Sequence, residues 1–527
     1  MKKTGAQIVI ECLKEQGVCD VFGYPGGAIL GIYEALYACP EIRHTLCTHE
    51  QHAAHAADGY ARASGKVGVC FATSGPGATN LLTGLSAAYM DSSPVVAITN
   101  NVARAQIGTD SFQEIDIYGV SMPVTKHNYI IKDISELADT LRDAFFIAAS
   151  GRPGPVLVDI PQDITAAQGE YQPQARKAPV RKTLADELDY AGAAFLLEES
   201  VRPLLLIGGG VPRSGAEDAA LALAEKIRAP IVQTLMATGC TEHSPRFSGM
   251  LGAYGSEAAN ALLAQCDLLI AVGTRFSERT ISSPKALARH AKILHIDIDP
   301  AEINKNISAD LALVGDAREV LERLCALAAK KAPGLIFEKE EPADKVAQTA
   351  LTPEFLLRAL SRLAGREQIY TTEVGQHQLW AAKFLGVQGH QRFLTSGGLG
   401  AMGFGLGAAI GAARATGQRI INIAGDGSFF MNMAELSTAA YYHLPIIEVI
   451  LDNQALGLVR QLQKNAGLHF SQVDFSRKVD YALLARSFGI PGYTVKTRAE
   501  AEGAFGEALA KGGPAVIHCR ISRRQIV

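Results

Sequence analysis

The stretch IINIAGDG at residues 420–427 is an apolar run that ends in a glycine–aspartate–glycine turn. A short apolar run bounded by glycine is typical of a strand buried in a parallel sheet. The same succession of apolar run, glycine-rich or polar turn and helical pattern recurs along the chain, for example at residues 67–77 and 94–101. Such alternation predicts helices on both faces of each sheet. We therefore predict an α/β chain built from doubly wound parallel sheets.

Chain length and two polar segments predict three domains. At about 150 residues per domain, 527 residues are enough for three. Residues 169–184 are polar and contain proline, and residues 332–345 combine proline, glycine and a run of charges. We expect both to be linkers, because such segments bury too little apolar surface to order themselves. The predicted domains are residues 1–168, 185–332 and 346–527.

The composition argues against several classes of function. Lys and Arg number 50 against 53 Asp and Glu, and no basic block occurs, so neither a nucleic-acid surface nor an anionic membrane surface is expected. The apolar runs are too short to span a membrane, and no signal-peptide pattern follows Met1. The nine cysteines form no Cys-x-x-Cys pair. We therefore expect reduced core cysteines, no structural zinc and a cytoplasmic protein.

Two strand ends deliver oxygen ligands to one place. Asp426 ends the first apolar run, and Asn453 follows a second run at residues 446–451, with a helical pattern at residues 432–442 between them. Ligands bind outside the carboxyl ends of parallel strands, where these side chains would meet. Mg²⁺ takes few protein oxygens and completes its octahedron with phosphate and water. An isolated glycine–aspartate–glycine is most often an ordinary turn, so the spacing carries this prediction.

That spacing resembles the cofactor motif of thiamin-diphosphate enzymes. The resemblance implies that Asp426 and Asn453 bind Mg²⁺ through their side chains and Ala455 through its carbonyl. Glu50, after the apolar run at residues 42–47, matches the carboxylate that activates the cofactor's pyrimidine ring. Outside this family, a Glu at a strand–helix junction is usually an N-terminal helix charge. The family draws this Glu and the rest of the site from different subunits, which implies a homodimer or homotetramer.

Motifs over nearly the whole chain are similar to the large catalytic subunit of the acetohydroxyacid synthase (acetolactate synthase) family. The matching segments are residues 23–27, 72–80, 107–114, 125–127, 151–156 and 373–380. The resemblance implies a pyrimidine-binding, a central FAD-type and a diphosphate-binding domain. It also implies a transferase of branched-chain amino acid biosynthesis that decarboxylates pyruvate and joins the two-carbon unit to a second 2-oxo acid. A small regulatory subunit is a further implied partner.

The resemblance also implies roles for individual residues. Met402 matches the apolar wedge between the two cofactor rings; elsewhere it would be an ordinary core methionine. Arg275 matches the arginine that meets the second substrate's carboxylate, a task that suits a planar guanidinium. The diphosphate side is implied to use Val374, Gly375, Gln376, His377, Gly400, Gly425, Gly427 and Ser428. The substrate side is implied to use Gly26, Phe112, Gln113 and Lys126.

The central domain carries a triple glycine after the apolar run at residues 204–207. A bare triple glycine serves a turn and a nucleotide loop equally well. In the family that the chain resembles, this domain holds FAD in a structural role. The residues implied to hold FAD here are Gly208, Gly209, Gly210, Arg275, Asp297 and Asp316. The chain departs from the family at Ala253-Tyr254, where Met-His is typical.

Two other functions stay open, and two departures bear on them. The scaffold also suits a carbon–carbon lyase or hydrolase and a simple 2-oxo acid decarboxylase, whereas a non-catalytic relative is disfavoured because the motif residues are present. Leu462 stands where the family typically has Trp, which predicts a weak preference for 2-oxobutyrate unless Phe470 fills the gap. The short segment 521–527 after the last apolar run predicts a more open site that releases more acetaldehyde.

Overall fold

The computed structural model describes residues 1–281, 283, 287, 289–331, 351–365, 367–389, 392–477 and 479–527. Its strands form three six-stranded parallel sheets and one two-stranded ribbon. The sheets confirm the predicted α/β class with three parallel-sheet domains. The predicted linker at residues 332–345 lies outside the described residues. The limits proposed for the three domains stay predictions.

The first sheet lies within residues 20–161. Four of its strands, Asp20–Gly23, Gly68–Ala72, Val95–Asn101 and Val156–Pro161, are wholly buried. In spatial order the strands are Arg43–Leu46, Asp20–Gly23, Gly68–Ala72, Val95–Asn101, Val156–Pro161 and His127–Ile130. The helices around it are Gly5–Glu15, Leu30–Tyr37, Glu50–Ser64, Pro76–Asn80, Leu82–Met90, Ile117–Ser121, Leu137–Ala149 and Gln162–Ala166.

The ribbon departs from the expected linker. Lys2–Thr4 pairs antiparallel with Gln168–Glu170, so the segment expected to be a linker from residue 169 begins inside a strand. Main-chain hydrogen bonds of the ribbon and the buried Tyr171 side chain, which packs in the core of the first domain, order the start of this segment.

The central sheet has a buried middle pair of strands, Pro203–Ile207 and Leu268–Val272. In spatial order the strands are Phe247–Met250, Ile231–Gln233, Pro203–Ile207, Leu268–Val272, Lys292–Asp297 and Leu311–Val314. The described helices beside it are Glu187–Glu199, Gly210–Ser214, Glu217–Ile227, Glu257–Gln265 and Ala317–Leu327.

The third sheet contains the strands predicted at residues 420–424 and 446–451, found as Ile420–Gly425 and Ile446–Asp452. In spatial order its strands are Phe393–Leu394, Ile369–Thr372, Ile420–Gly425, Ile446–Asp452, Ala515–Arg520 and Gly492–Val495. Its described helices are Pro353–Ala364, Gln376–Phe384, Phe404–Thr416, Asp426–Phe429, Leu436–Tyr441, Gly457–Asn465, Tyr481–Ser487 and Arg498–Lys511. The helix predicted at residues 432–442 is a 3₁₀ turn followed by a shorter α-helix. Single 3₁₀ turns occur at Gly27–Ile29, Arg104–Gln106, Met122–Val124, Ile134–Glu136, Leu235–Ala237, Pro300–Glu302 and Met433–Glu435.

The first and third domains share a core. Helix Glu50–Ser64 packs against helix Phe404–Thr416, and a side chain at Gly59 or Gly411 would collide with the backbone of the facing helix. Glycine therefore allows the close approach of the two backbones. The contact also brings the first turn of helix Glu50–Ser64 to Gly403, since the Gln51 amide nitrogen lies 3.7 Å from the Cβ position there.

The nine cysteines are free, and seven of them are buried. Over the described residues, no helix combines the length and the apolarity that a membrane crossing requires.

Candidate active site

Two neighbouring strand ends of the third sheet bring Asp426 and Asn453 together. The strands are paired in parallel, with Gly425 opposite Leu451. The Asp426 carboxyl is 3% exposed, and its Oδ1 has no hydrogen-bond partner among the described residues. Burial, with a contribution from Asp452, raises the pKa of Asp426 to about 7. A buried carboxylate oxygen without a partner is costly, so this edge suits a cation.

Asn453 is held by its neighbours on this edge. Its Nδ2 donates to Gln376 Oε1 at 3.2 Å, and its Oδ1 accepts from the Ala455 N–H at 3.2 Å. Ala455 is 4% exposed. A carboxylate, an amide oxygen and a nearby carbonyl are the hard oxygen donors that Mg²⁺ takes in proteins.

Beside the cation edge, small residues and a buried imidazole form a cradle. A Cβ on Gly425 would lie 2.7 Å from His377 Nδ1, and a Cβ on Gly375 would lie 2.7 Å from His377 Cε1. Burial lowers the pKa of His377 to about 3, so its ring is neutral at pH 7. Its Nε2 is buried without a partner among the described residues. The nine-residue helix Gln376–Phe384 begins here, and a helix N-terminus favours anions such as phosphate.

The remaining residues predicted for the diphosphate side lie on two adjoining turns. Gly427 packs on Leu456, whose Cδ2 is 2.7 Å from the Cβ position of that glycine. The Ser428 hydroxyl donates to Glu373 Oε2 at 2.7 Å, so it is already engaged. Gly400 has φ +70°, and half-buried Met402 precedes helix Phe404–Thr416.

Glu50 begins helix Glu50–Ser64 and is 8% exposed. Its Oε2 accepts a hydrogen bond from Asn80 Nδ2 at 2.9 Å. Gly77 leaves room for the carboxyl, because a Cβ there would lie 3.2 Å from Glu50 Oε1. In the part of the chain that the structure describes, no hydrogen bond or ion pair joins Glu50 to Asp426. Within one chain, the Glu50 carboxyl is therefore held by Asn80 rather than by the residues of the cation edge.

The residues predicted on the substrate side do not all converge. A Cβ on Gly26 would lie 2.5 Å from Thr73, and one on Gly75 would lie 2.8 Å from the Gln113 carbonyl oxygen. Phe112 is 87% exposed.

Lys126 is engaged elsewhere. Its Nζ donates to the carbonyls of Ile147 and Ser150, at 2.6 and 2.5 Å, where helix Leu137–Ala149 ends. Burial lowers the pKa of Lys126 to about 8.

A second site is a cavity of about 540 Å³ at the carboxyl edge of the central sheet. Of the residues predicted to hold FAD, five line it: Gly209, Gly210, Arg275, Asp297 and Asp316. Gly208 lies behind them and donates its N–H to the Val272 carbonyl at 2.9 Å. Tyr254, where the chain departs from the family, also lines the cavity, as do Val374 and Gly400 of the third domain.

The cavity wall carries both signs of charge. Burial raises the pKa of Asp297 to about 6, and burial together with nearby Arg62 lowers the pKa of Arg213 to about 10. Asp316 Oδ1 accepts from the Ser214 hydroxyl at 2.5 Å. Such a lining suits a long ligand that has both anionic and hydroxyl groups.

Sequence reasoning missed the groups that tie the domains together at these sites. Asp91 accepts the N–H groups of Gly397 and Gly398, at 3.1 and 2.7 Å, and pairs with buried Arg62 at 2.9 Å. No sequence motif predicts the contact between Asp91 and the Gly397–Gly398 backbone, because the two sides are about three hundred residues apart in the chain.

The last residues cover the cation edge, although the sequence predicted little cover there. Arg523 Nε donates to the Asn453 carbonyl at 3.3 Å, and the carbonyl of Gln525 accepts from Gln376 Nε2 at 3.2 Å. The Ile526 carbonyl accepts from Trp380 Nε1 at 3.2 Å. A main-chain carbonyl is the acceptor in each of these three contacts, and a side-chain pattern does not reveal such acceptors. The predicted acetaldehyde release stays a prediction.

Comparison with known proteins identifies the class to which this geometry belongs. Three thiamine pyrophosphate (thiamin diphosphate) enzyme models match: the N-terminal binding domain over residues 3–120, the central domain over 190–324 and the C-terminal binding domain over 373–519. The class is therefore the thiamine pyrophosphate enzymes.

Full-length relatives narrow the class. The large subunit of acetolactate synthase isozyme 2 from Escherichia coli is 43% identical, over 99% of this chain and 96% of its own length. The acetolactate synthase large subunit of Pyropia yezoensis is 40% identical over 99% and 93%, and the acetolactate synthase of Mycobacterium bovis is 44% identical over 93% and 83%. This chain belongs to the acetolactate synthase large-subunit family.

Proposed function

We propose that this chain is an acetolactate synthase-like carboligase, a thiamin-diphosphate-dependent transferase. It decarboxylates pyruvate and joins the two-carbon unit to a second 2-oxo acid in branched-chain amino acid biosynthesis. Membership of the acetolactate synthase family supports this reaction. The single observation that carries it is the buried Asp426 carboxyl beside Asn453, whose Oδ1 has no partner among the described residues, at the edge where two parallel strands end.

The proposed cofactor site would hold Mg²⁺ on one set of residues and the diphosphate on an adjoining set. Asp426 and Asn453 would hold the ion through their side chains and Ala455 through its carbonyl. The diphosphate would rest against Val374, Gly375, Gln376, His377, Gly400, Gly425, Gly427 and Ser428. Because His377 is neutral, it would donate or accept a hydrogen bond rather than supply charge. Bound thiamin diphosphate supplies the electron sink for decarboxylation and carbon–carbon bond formation.

Glu50 and Met402 would prepare the cofactor. Glu50 would hold a proton against the pyrimidine nitrogen, while Asn80 fixes one of its carboxyl oxygens at 2.9 Å. Met402 would separate the two rings as an apolar wedge. Gly26, Phe112, Gln113 and Lys126 would line the substrate side. Arg275 would meet the carboxylate of the second 2-oxo acid.

The proposed assembly is a homodimer or homotetramer in the cytoplasm. The family resemblance supports a site completed by a second copy, because the family draws the carboxylate that Glu50 matches and the rest of the site from different subunits. The exposure of Phe112 supports the same assembly. Relatives named as large subunits support a small regulatory subunit as a further partner.

We propose that the central cavity holds FAD. Its volume, its glycine wall and the carboxyls of Asp297 and Asp316 support a dinucleotide with ribose hydroxyls and phosphates. FAD would be structural here, because the carboligation has no net redox step. Purified protein with a flavin absorbance spectrum would support this, whereas a colourless, fully active protein that does not respond to FAD would contradict it.

Product analysis tests the reaction. Purified protein with pyruvate, thiamin diphosphate and Mg²⁺ should form acetolactate, and with added 2-oxobutyrate a second carboligation product. Glu50→Gln should lower the rate by about 10²–10⁴-fold, the usual value of a positioned acid–base group. Glu199→Gln, an exposed carboxylate on the central domain, is the matched control.

The alternatives give different outcomes in the same assay. Acetaldehyde without acetolactate would assign a decarboxylase, and cleavage of a diketone without carboligation would assign a lyase or hydrolase. Unchanged turnover of Glu50→Gln would remove the assignment of Glu50.

A further inference from the structure

Glu373 is a fully buried carboxylate that receives only donors. Its Oε2 accepts the Gly403 N–H at 2.7 Å and the Ser428 hydroxyl at 2.7 Å. Its Oε1 accepts the Leu406 N–H at 3.1 Å and a hydrogen bond from Asn432 Nδ2. Among the described residues no Lys, Arg or His pairs with it. Four donors form the partner set that an ionised carboxylate needs.

The donors come from two separate segments of the third domain. Gly403 and Leu406 lie where helix Phe404–Thr416 begins, directly after Met402. Ser428 and Asn432 lie in the turns that follow Asp426. Glu373 itself follows strand Ile369–Thr372 and precedes Val374. One carboxyl group therefore ties together the segments at residues 373–377, 400–406 and 426–432.

Burying a charged carboxylate costs free energy, so stability alone does not account for a carboxylate at the point where these three segments meet. Burial raises the pKa of Glu373, which opposes its charged form, and the four hydrogen bonds offset that cost. Its geometry is also directional, because each of its oxygens receives one backbone N–H and one side-chain donor. A shift of either segment would leave a buried donor unpaired.

Glu448 is a buried carboxyl whose hydrogen bonds stay within one sheet, and it serves as a comparison for Glu373. It lies on the neighbouring strand Ile446–Asp452 and is 1% exposed. Both of its oxygens lie at 3.0 and 2.9 Å from Asn422 Nδ2, a residue inside the same sheet. Burial raises the pKa of Glu448 well above its usual range. Among the described residues its side-chain hydrogen bonds go to Asn422 and to none of the three segments that Glu373 joins, although the nearby Glu373 charge also raises its pKa.

We propose that Glu373 is a positioning residue that fixes the turn carrying Met402 against the diphosphate segment and thereby sets the conformation of bound thiamin diphosphate. This inference rests on the proposed function, since the roles of Met402 and of residues 425–428 belong to it. Glu373 acts through the Gly403 N–H and the Ser428 hydroxyl.

Trp380 gives a direct readout of cofactor binding. It is the only tryptophan of the chain, it is 4% exposed, and it lies in helix Gln376–Phe384 beside the proposed cradle. Titration of full-length protein with thiamin diphosphate and Mg²⁺ should change its fluorescence. Glu373→Gln turns an amide N–H toward existing donors, so the Kd for the cofactor should rise by about 10–100-fold, the usual effect of losing a supporting hydrogen bond.

Kinetics and a control separate positioning from stability. At saturating cofactor, Glu373→Gln should lower kcat while KM for pyruvate stays within about twofold. Glu448→Gln makes the same chemical change on the next strand and should leave the cofactor Kd within about twofold. Glu373→Asp keeps the charge and should recover part of the affinity, and it keeps the test decisive if Glu373→Gln does not fold.

Each outcome decides one question. If the wild-type protein shows no cofactor-dependent change in fluorescence or in calorimetry, the proposed function fails. If the wild type binds and the Glu373 variants bind equally well, or if Glu448→Gln weakens binding as much, this inference is overturned and the proposed function stands.

Discussion

The carboxyl edges of the third and central sheets share glycine and a buried acidic side chain, but the space around those groups differs between the two sheets. In each sheet one buried strand runs into glycine, Ile420–Gly425 in the third and Pro203–Ile207 before Gly208 in the central one. In each, a buried acidic side chain with a raised pKa also stands at a strand end: Asp426 in the third sheet and Asp297 in the central sheet. At the carboxyl edge of the third sheet the side chains are closely packed, and Asp426 Oδ1 has no hydrogen-bond partner among the described residues. The central edge opens into a cavity of about 540 Å³ that Arg213 and Arg275 also line.

The difference between these two edges shows that the parallel sheet sets the position of a ligand, at the carboxyl ends of its strands. The side chains around that position set which kind of ligand binds. An unpartnered carboxylate beside amide and carbonyl oxygens suits a small cation. A wide wall with acids, arginines and glycine backbone suits a long nucleotide.

A single loop joins the two edges. Asp91 holds the N–H groups of Gly397 and Gly398 on the cavity wall, and the same loop continues to Gly400 and Met402. Arg62 pairs with Asp91 and donates to the Thr395 carbonyl at 2.6 Å. Filling the cavity should therefore steady the turn that carries Met402, although the ligands differ.

The largest effect should come from the third edge. Asp426→Asn removes the only charge proposed to hold the cation, so Mg²⁺-dependent affinity for thiamin diphosphate should fall by more than about 100-fold, beyond the loss from supporting groups alone. Trp380 fluorescence measures the affinity, and flavin content should stay unchanged. Asp218→Asn, an exposed change on the central domain, is the control. Equal cofactor affinity in Asp426→Asn and wild type would remove the cation site.

The next effect should come from the central edge. A Cβ on Gly210 would lie 2.6 Å from Gly273 Cα, so Gly210→Ala must push two backbones apart. Overpacking of this kind costs about 1–3 kcal/mol, which corresponds to about 5–150-fold weaker FAD binding if the strain falls on the cavity. Flavin absorbance after gel filtration measures it. Gly503→Ala has open space around its Cβ and serves as control. Normal FAD content in Gly210→Ala would contradict the assignment of the glycine wall.

A smaller effect should follow the pH. The pKa of Asp297 is raised to about 6 by burial, so the carboxyl takes up a proton as the pH falls from 7 to 5. The neutral group accepts ribose hydroxyls less well, and FAD should bind about tenfold more weakly at pH 5 than at pH 7. The contribution of Asp297 to the stability of the ligand-free fold depends on pH in the opposite direction from FAD affinity. Because its pKa is raised in the folded state, this contribution is present below about pH 4 and is lost as the pH rises through 6. Equilibrium dialysis at several pH values tests this, and a slope that survives in Asp297→Asn would assign it to another group.

The smallest effect concerns the substrate rather than either cofactor. Leu462 is 42% exposed on helix Gly457–Asn465, and the Phe470 ring stacks on Arg460 at 3.9 Å. Leu462→Trp should favour 2-oxobutyrate over pyruvate by about 1 kcal/mol, roughly fivefold, the low end for one methylene because the site is half open. Competition between the two acceptors measures it. A wild type that already strongly prefers 2-oxobutyrate, and a variant that matches it, would show that Leu462 does not set the acceptor.

Local pattern was enough to predict most of the fold. The apolar run at residues 204–207 is found in strand Pro203–Ile207 and the run at residues 446–451 in strand Ile446–Asp452, each longer by one residue. Strands that are buried on both faces of a sheet consist almost entirely of apolar residues, so they can be recognised in the sequence as continuous apolar runs. The helix predicted at residues 432–442 is shorter because its first turn tightens to 3₁₀ and places Asn432 beside Glu373.

The candidate site was predicted less completely. Asp426 and Asn453 lie at neighbouring strand ends, as their positions after two apolar runs predict, and Gln376, which only the resemblance implied, contacts Asn453. Lys126, in contrast, caps the carbonyls of Ile147 and Ser150, which no motif indicates.

The sequence alone determined the class of fold, the strand ends that carry Asp426 and Asn453, and the family resemblance, because these depend on residues near one another in the chain. Tertiary structure decided that Glu373 joins Gly403 to Ser428, that Asp91 holds Gly398, and that the last residues lie over Asn453. These contacts join residues from tens to hundreds of positions apart, and a buried polar group takes its partners from whatever the fold brings within hydrogen-bond distance. Sequence pattern predicts that such a group must be satisfied, and only the packed chain shows by which donor.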